Sequence, residues 1–284
     1  MNSISRRLST RFLIFAALLA MAASMAYPLI ATVLSSFMTL PDYQANGPSW
    51  PNSWTLENYR TAWTQGHVSQ YAVNSIVVTG LAIVMLVVVS VPAGYALALL
   101  DVPRRRFILV GILALAIVSA GLQLVPLAKL ARHPILVNLG IGTGSFAGLA
   151  LIYVSFFLSF AVYLMASYFE GLPRPMFESA TIDGAGPVRT FLYIAVPLAV
   201  PGILTMVTFG FLSFWNDFLF ALILLPDENM RTLPVGTAFL ESQSYTSQPL
   251  VSAGVVLTML PCFLVFMVLI RNLNEGLTLG AVKS

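Results

Sequence analysis

The sequence predicts an all-α, polytopic membrane protein: six transmembrane helices and one short cytoplasmic helix between the fourth and the fifth. Three observations predict it. Of the 284 residues, 58% are hydrophobic and 9% are charged, whereas roughly 25% are charged in an average soluble domain. The apolar side chains must therefore face lipid or one another. They fall in continuous runs that reach the about 20 residues a helical crossing needs, where a β-barrel would show short alternating strands. Between two of these runs stands a polar segment, RPMFESATIDGAGPVRTF from Arg174, carrying Arg174, Glu178, Asp183 and Arg189.

The first run, 12–38, follows Arg6 and Arg7, and Ser24-Met25-Ala26 resembles a cleavage site. A signal-peptide core spans only about 7–15 residues, so this run reads as a retained anchor. The outer loop 39–70 holds the turn signals Pro41, Pro48, Pro51 and Asn46-Gly47. Its Trp50, Trp54 and Trp63 suit a membrane-interface belt, with a grip on a partner or a sugar ring as the other reading. The second run is 71–100 and contains Pro92. Arg104, Arg105 and Arg106 then mark a short turn, and the third run, 107–129, contains Pro126. The stretch NLGIGTGSFAG from Asn138 has a Gly-x-Gly pattern but no preceding strand. It reads as a flexible turn into the fourth run, 146–169, rather than a phosphate cradle. The fifth run, 191–225, is too long for one straight crossing. Its part near Pro197 and Pro201 should lie at or below the inner interface. The sixth, 250–270, carries Cys262, the only cysteine, which excludes an internal disulfide and a zinc site.

Orientation follows from Lys and Arg in short loops. Alternate flanks hold Arg6, Arg7, Arg11, Arg104, Arg105, Arg106, Arg174, Arg189, Arg271 and Lys283 on one side, against Arg60, Lys129, Arg132 and Arg231 on the other. Both termini and the polar segment are expected in the cytoplasm. This bias also accounts for the net charge of +3 without a nucleic-acid partner. No catalytic constellation emerges. His67 and His133 lie in outer loops without metal-ligand spacing, and no Gly-x-Ser-x-Gly elbow is present. Neither Lys129 nor Lys283 ends a phosphate-binding loop. No cofactor or metal is expected, and if ATP powers transport another subunit must bind it.

The polar segment, 170–190, reads as a socket. Pro173 and Pro175 favour a helix start, and Met176, Phe177, Ala180 and Thr181 recur at helical spacing. Glu178 and Asp183 add polar contacts, and Gly184 suits a helix stop. A helix lying on headgroups would favour Lys or Arg on its polar face. Glu178 and Asp183 there point instead to a protein groove.

Glu178-Ser179-Ala180, then Gly184, then nine residues to Ile194 and Val196-Pro197, resembles the EAA motif of permease subunits in bacterial ABC importers. Ser179 and Val196 depart from the pattern conservatively, while Asp183-Gly184-Ala185 fits its extended form. Asn74-Ser75, Trp215-Asn216-Asp217 and the tail from Gly276 to Lys283 extend the likeness to carbohydrate-importer permeases related to the maltose transporter's smaller membrane subunit. The resemblance covers nearly the whole chain as a single permease domain. It implies the ABC importer permease fold in a bacterial cytoplasmic membrane, a second homologous permease, an ATPase subunit pair, and an extracytoplasmic solute-binding protein. It also implies that Met176, Phe177, Glu178, Ser179, Ala180, Asp183, Gly184, Ala185 and Pro197 belong to the ATPase-coupling element.

Asp217 is the one acid well inside an apolar run. A buried intramembrane carboxylate is by default a functional hypothesis, with interhelical packing as the alternative. It lies 16 residues beyond Pro201, about 24 Å at the helical rise, so it belongs toward the outer half. Trp215, Asn216, Gln123, Tyr153 and Tyr163 complete the candidate solute pathway. A sugar is the expected solute, with a sugar alcohol or glycerol phosphate ester next. An ion-coupled secondary transporter would want paired acids and repeated halves, and a membrane enzyme a nucleophile and base; neither pattern is present.

Overall fold

A computed structural model of the chain describes residues 2–116, 120–243 and 247–281, with side chains for 11–114, 123–240 and 247–268. Among the described residues every regular element is helical. Helix α1 (Asn2–Ser36) is followed by two short helices, α2 (Leu40–Asn46) and α3 (Glu57–Thr64), and then by α4 (Val68–Leu99). The outer loop is thus partly helical, where turns alone were expected. Pro41 sits in the first turn of α2, where a missing N–H costs no hydrogen bond, so this proline starts a helix instead of preventing one. The Asn46-Gly47 turn is present, with Gly47 at φ +64°. Asp42 accepts from the Asn46 and Asn52 side chains and the Asn52 amide, which holds its carboxyl below the usual range. Trp54 packs on Phe37 and on Trp50.

Next come α5 (Arg105–Ala116) and α6 (Ala120–Ala131). They cover the third expected run on either side of residues 117–119, which lie outside the described ones. After α7 (Pro134–Asn138) the glycine-rich turn leads into α8 (Phe146–Glu170). The turn is pinned at both edges: the Thr143 amide donates to the Ala131 carbonyl (2.9 Å) and the Gly144 amide to the Leu224 carbonyl (2.7 Å). Ser145 caps α8, accepting from the Gly148 amide.

The polar segment forms α9 (Arg174–Ile182). The fifth run then breaks twice. Helix α10 (Pro187–Thr190), a π turn (Phe191–Ala195) and α11 (Val196–Leu198) end at Ala199, where the axis bends by 71° into α12 (Val200–Trp215). A second break precedes α13 (Leu219–Leu224). Helix α14 (Leu233–Gln243) and the long α15 (Gln248–Ala281) complete the chain.

Among the described residues four stretches are long and apolar enough to cross a membrane: Arg11–Ser36, Val68–Leu99, Phe146–Glu170 and Gln248–Val268; the bent pair Pro187–Leu198 and Val200–Trp215 makes a fifth if counted as one span. These overlap the expected first, second, fourth, sixth and fifth runs; the expected third run is not among them. The chain forms two compact units, Met1–Ser69 with Thr237–Met259, and Gln70–Gly236 with Leu260–Ser284. In the first, the Asn58 side chain donates to the Ser36 and Met38 carbonyls, tying α3 to the end of α1. The second is organised on α8. Gly94 of α4 lies so close to it that a Cβ would come within 2.5 Å of the Met165 Cβ, the close approach that small residues permit between membrane helices. Leu97, Val162 and Ala166, with Leu109 and Ile112, join α4, α5 and α8. Gly202 of α12 faces the Tyr168 ring.

Candidate functional site

Helix α9 is built by its termini. Pro173 takes the extended N-cap conformation and Pro175 occupies the first turn. At the other end the Gly184 amide donates to the Thr181 carbonyl (3.0 Å) and the Ala185 amide to the Ala180 carbonyl (2.9 Å). With Asp183 as C-cap and Gly184 at φ +76°, this is the Schellman arrangement. Glycine is required there by its backbone angle alone, since nothing lies within 4 Å of where its Cβ would stand.

The expected apolar stripe is divided. Ala180 is 6% exposed and faces the chain's own interior, and Phe177 is half-buried. Met176 at 44% and Ile182 at 86% stand open, with Ser179 between them. The free face of α9 is therefore Met176, Ser179 and Ile182, not the Ala180 side, because Ala180 is the residue that anchors the helix. Glu178, Phe177 and Thr181 line a cleft of about 390 Å³, together with Ala185 and Arg174; its far wall is Leu100, Asp101 and Arg105. Arg105 is engaged, lying 3.4 Å from Glu170 at the end of α8. Pro197 falls in α11, just before the bend.

Of the pathway candidates the structure brings together Tyr153, Asp217 and their ring neighbours. One carboxylate oxygen of Asp217 accepts from the Tyr153 hydroxyl and from the Ala221 amide, both at 3.0 Å. The Tyr153 ring stacks on Phe214 with centroids 5.3 Å apart. Trp215, 2% exposed, stacks on Phe211. Asn216 turns away: its amide nitrogen donates to the Leu212 carbonyl (2.7 Å) and lies 3.6 Å from the Cys262 sulfur. Tyr163 is ten residues along α8 from Tyr153, about 15 Å by helical rise, and lies outside this cluster. Gln123 lies on α6, which packs against α13.

Asn74 and Ser75 carried part of the likeness in the sequence, but their bonding role escaped it, and Tyr95 was not singled out at all. Asn74 donates to the Asn229 (2.8 Å) and Arg231 (3.0 Å) carbonyls, and Ser75 accepts from the Leu233 amide (2.7 Å), so this pair pins the stretch leading into α14. Tyr95 packs between Phe169 and Phe191. The available signal was that Tyr95 is the sole aromatic residue of α4 after Tyr71.

The fold and the polar interruption before a bent apolar helix define the permease class of ABC transporters. Residues 71–278 match the binding-protein-dependent transport system inner membrane components, and the chain belongs to that family. It is 32% identical over 258 residues to the diacetylchitobiose uptake system permease protein NgcG of Streptomyces coelicolor, covering 90% of this chain and 83% of that one. It is 30% identical over 261 residues to the arabinooligosaccharides transport system permease protein AraQ of Halalkalibacterium halodurans, covering 90% and 91%. A bacterial ABC transporter involved in the import of the acidic polysaccharide alginate has the same fold, with a TM-score of 0.79 at 23% identity over 95% of this chain and 98% of that one.

Proposed function

We propose that the chain carries a sugar or sugar-like solute inward as one of two paired permeases, driven through α9 by a separate ATPase subunit pair and loaded by an extracytoplasmic solute-binding protein. In this reading it acts as one permease body with six crossings in a bacterial cytoplasmic membrane, both termini inside, as the Lys and Arg distribution favours. The observation that carries the proposal is the open Met176–Ser179–Ile182 face on a rigidly terminated helix, inside a segment that resembles the EAA motif. An exposed apolar face of this kind suits a protein groove. ATP would draw the ATPases together, the coupling helices would follow, and the packed helices would switch between two arrangements as rigid bodies.

The roles for which the relatives are named support a sugar: diacetylchitobiose for one, arabinooligosaccharides for another. Among the described residues of the candidate spans the only Lys or Arg are Arg11 and Arg189, near span ends, which favours a neutral solute over a phosphate ester. Within the pathway set, the bonds of Asp217 and Tyr153 favour a packing role for that pair. Trp215, buried against Phe211, joins them, which leaves Gln123, Tyr163 and Asn216 as the candidates for solute contact.

Three experiments test the reading. Ile182→Cys, in a Cys262→Ser background, should crosslink to a cysteine placed in the ATPase groove, and a failure to crosslink anywhere on the ATPase counts against docking. Gly184→Ile forces a β-branched residue into the left-handed region, at a cost of about 1–2 kcal/mol. Uptake should collapse while membrane insertion survives, and Gly184→Asn should retain more transport. Calorimetry of the cognate solute-binding protein against sugars, sugar alcohols and glycerol phosphate esters identifies the solute class.

A further inference from the structure

The cleft beside α9 raises a mechanical question. It separates Phe177, Glu178 and Thr181 from Leu100, Asp101 and Arg105, so load on this side of the helix has no packed route into the turn between α4 and α5. Beside the buried Ala180, the two ends of the segment are where it joins the packed body. Both ends meet one side chain. The Tyr95 ring stands edge-on to Phe169, the next-to-last residue of α8, with centroids 5.7 Å apart and planes at 79°. The same ring lies 4.9 Å from Phe191, the first residue of the π turn beyond the segment. Its hydroxyl donates a long hydrogen bond, 3.4 Å, to the Pro187 carbonyl. Tyr95 is 6% exposed, and Phe169 is fully buried. By contrast, the Arg105–Glu170 ion pair holds only the entry.

We propose that Tyr95 is a positioning residue that clasps the entry and exit of the coupling segment to α4, turning displacement of α9 into movement of that span. The proposal rests on the coupling reading given above. Close-packed aromatic contacts do not deform continuously, so a shift at either end is passed to α4 as a rigid displacement. Leu97, close by on the same helix, joins the cluster with Val162 and Ala166, so movement of Tyr95 engages α8 as well.

The test uses the complete importer in liposomes, reading solute imported per ATP hydrolysed, with the Ile182→Cys crosslink measured in each background. Tyr95→Leu should keep the crosslink and basal ATP hydrolysis, while the import ratio falls at least about fivefold, the lower end of typical coupling between sites. Tyr95→Phe keeps both ring contacts and should stay within about twofold of the unaltered ratio. A residue that only fills space would lower thermal stability without moving the ratio, so an unchanged ratio in Tyr95→Leu overturns the proposal. If that variant fails to assemble, Phe191→Leu decides: a lowered ratio supports the clasp, and an unaltered ratio overturns it. A crosslink missing from the otherwise unaltered chain overturns the docking reading itself, before any Tyr95 variant is read.

Discussion

The fifth apolar run breaks at both ends, and the two breaks have different causes. Near Ala199 the cause is covalent. Pro197 and Pro201 lack the N–H groups that would bond the Tyr193 and Pro197 carbonyls in a continuous helix. The chain answers with a π turn, in which the Val196 amide reaches back to the Phe191 carbonyl, and then with the 71° bend. At Asn216–Phe218 no proline is present. Helix α12 stops, and α13 restarts with its Ala221 amide bonded to the Asp217 carboxylate, which Tyr153 of α8 also holds. One break belongs to the backbone of the segment itself; the other is held by a residue 64 positions earlier.

That difference can be broken or sharpened by substitution. The largest effect is expected from Asp217→Ala, which strands the Tyr153 hydroxyl and the Ala221 amide away from water. It should cost about 3 kcal/mol, read as thermal unfolding in detergent. Asp217→Asn keeps an acceptor and should cost about 1 kcal/mol. A variant Asp217→Ala as stable as the parent would show that the break at Asn216–Phe218 does not depend on α8. Gly202→Ala comes next. Its Cβ would stand 2.6 Å from the Tyr168 ring at the start of α12, so overpacking should cost about 2 kcal/mol. The smallest effect belongs to Pro201→Ala. Pro201 sits in the first turn of α12, where its missing N–H has no intrahelical partner, so stability should change by under about 1 kcal/mol. A larger loss there would mean that the bend relies on the proline ring's packing more than on the backbone.

Much of the architecture was readable residue by residue. The apolar runs announced the spans because lipid-facing segments carry their signal in contiguous composition. Pro197 and Pro201 announced the bend at Ala199, and Gly184 announced the end of α9, because each acts on its own backbone. The open face of α9 was not readable. Helical spacing put Ala180 on the docking stripe, and only the folded chain shows that this residue faces inward. The helices of the outer loop were missed because Pro41 carries the same sequence signal whether it opens a turn or a helix.

By itself the sequence determined that this protein lives in a membrane, roughly where its apolar runs lie, and that one polar segment must interrupt them. Hydropathy, proline and glycine are properties of neighbouring residues, and they act before any distant contact forms. The tertiary structure alone decided that Asp217 answers to Tyr153, that Asn74 and Ser75 secure the approach to α14, and that Tyr95 touches Phe169 and Phe191 on either side of α9. Those pairings join residues far apart in the chain, and only the folded chain brings them within bonding distance.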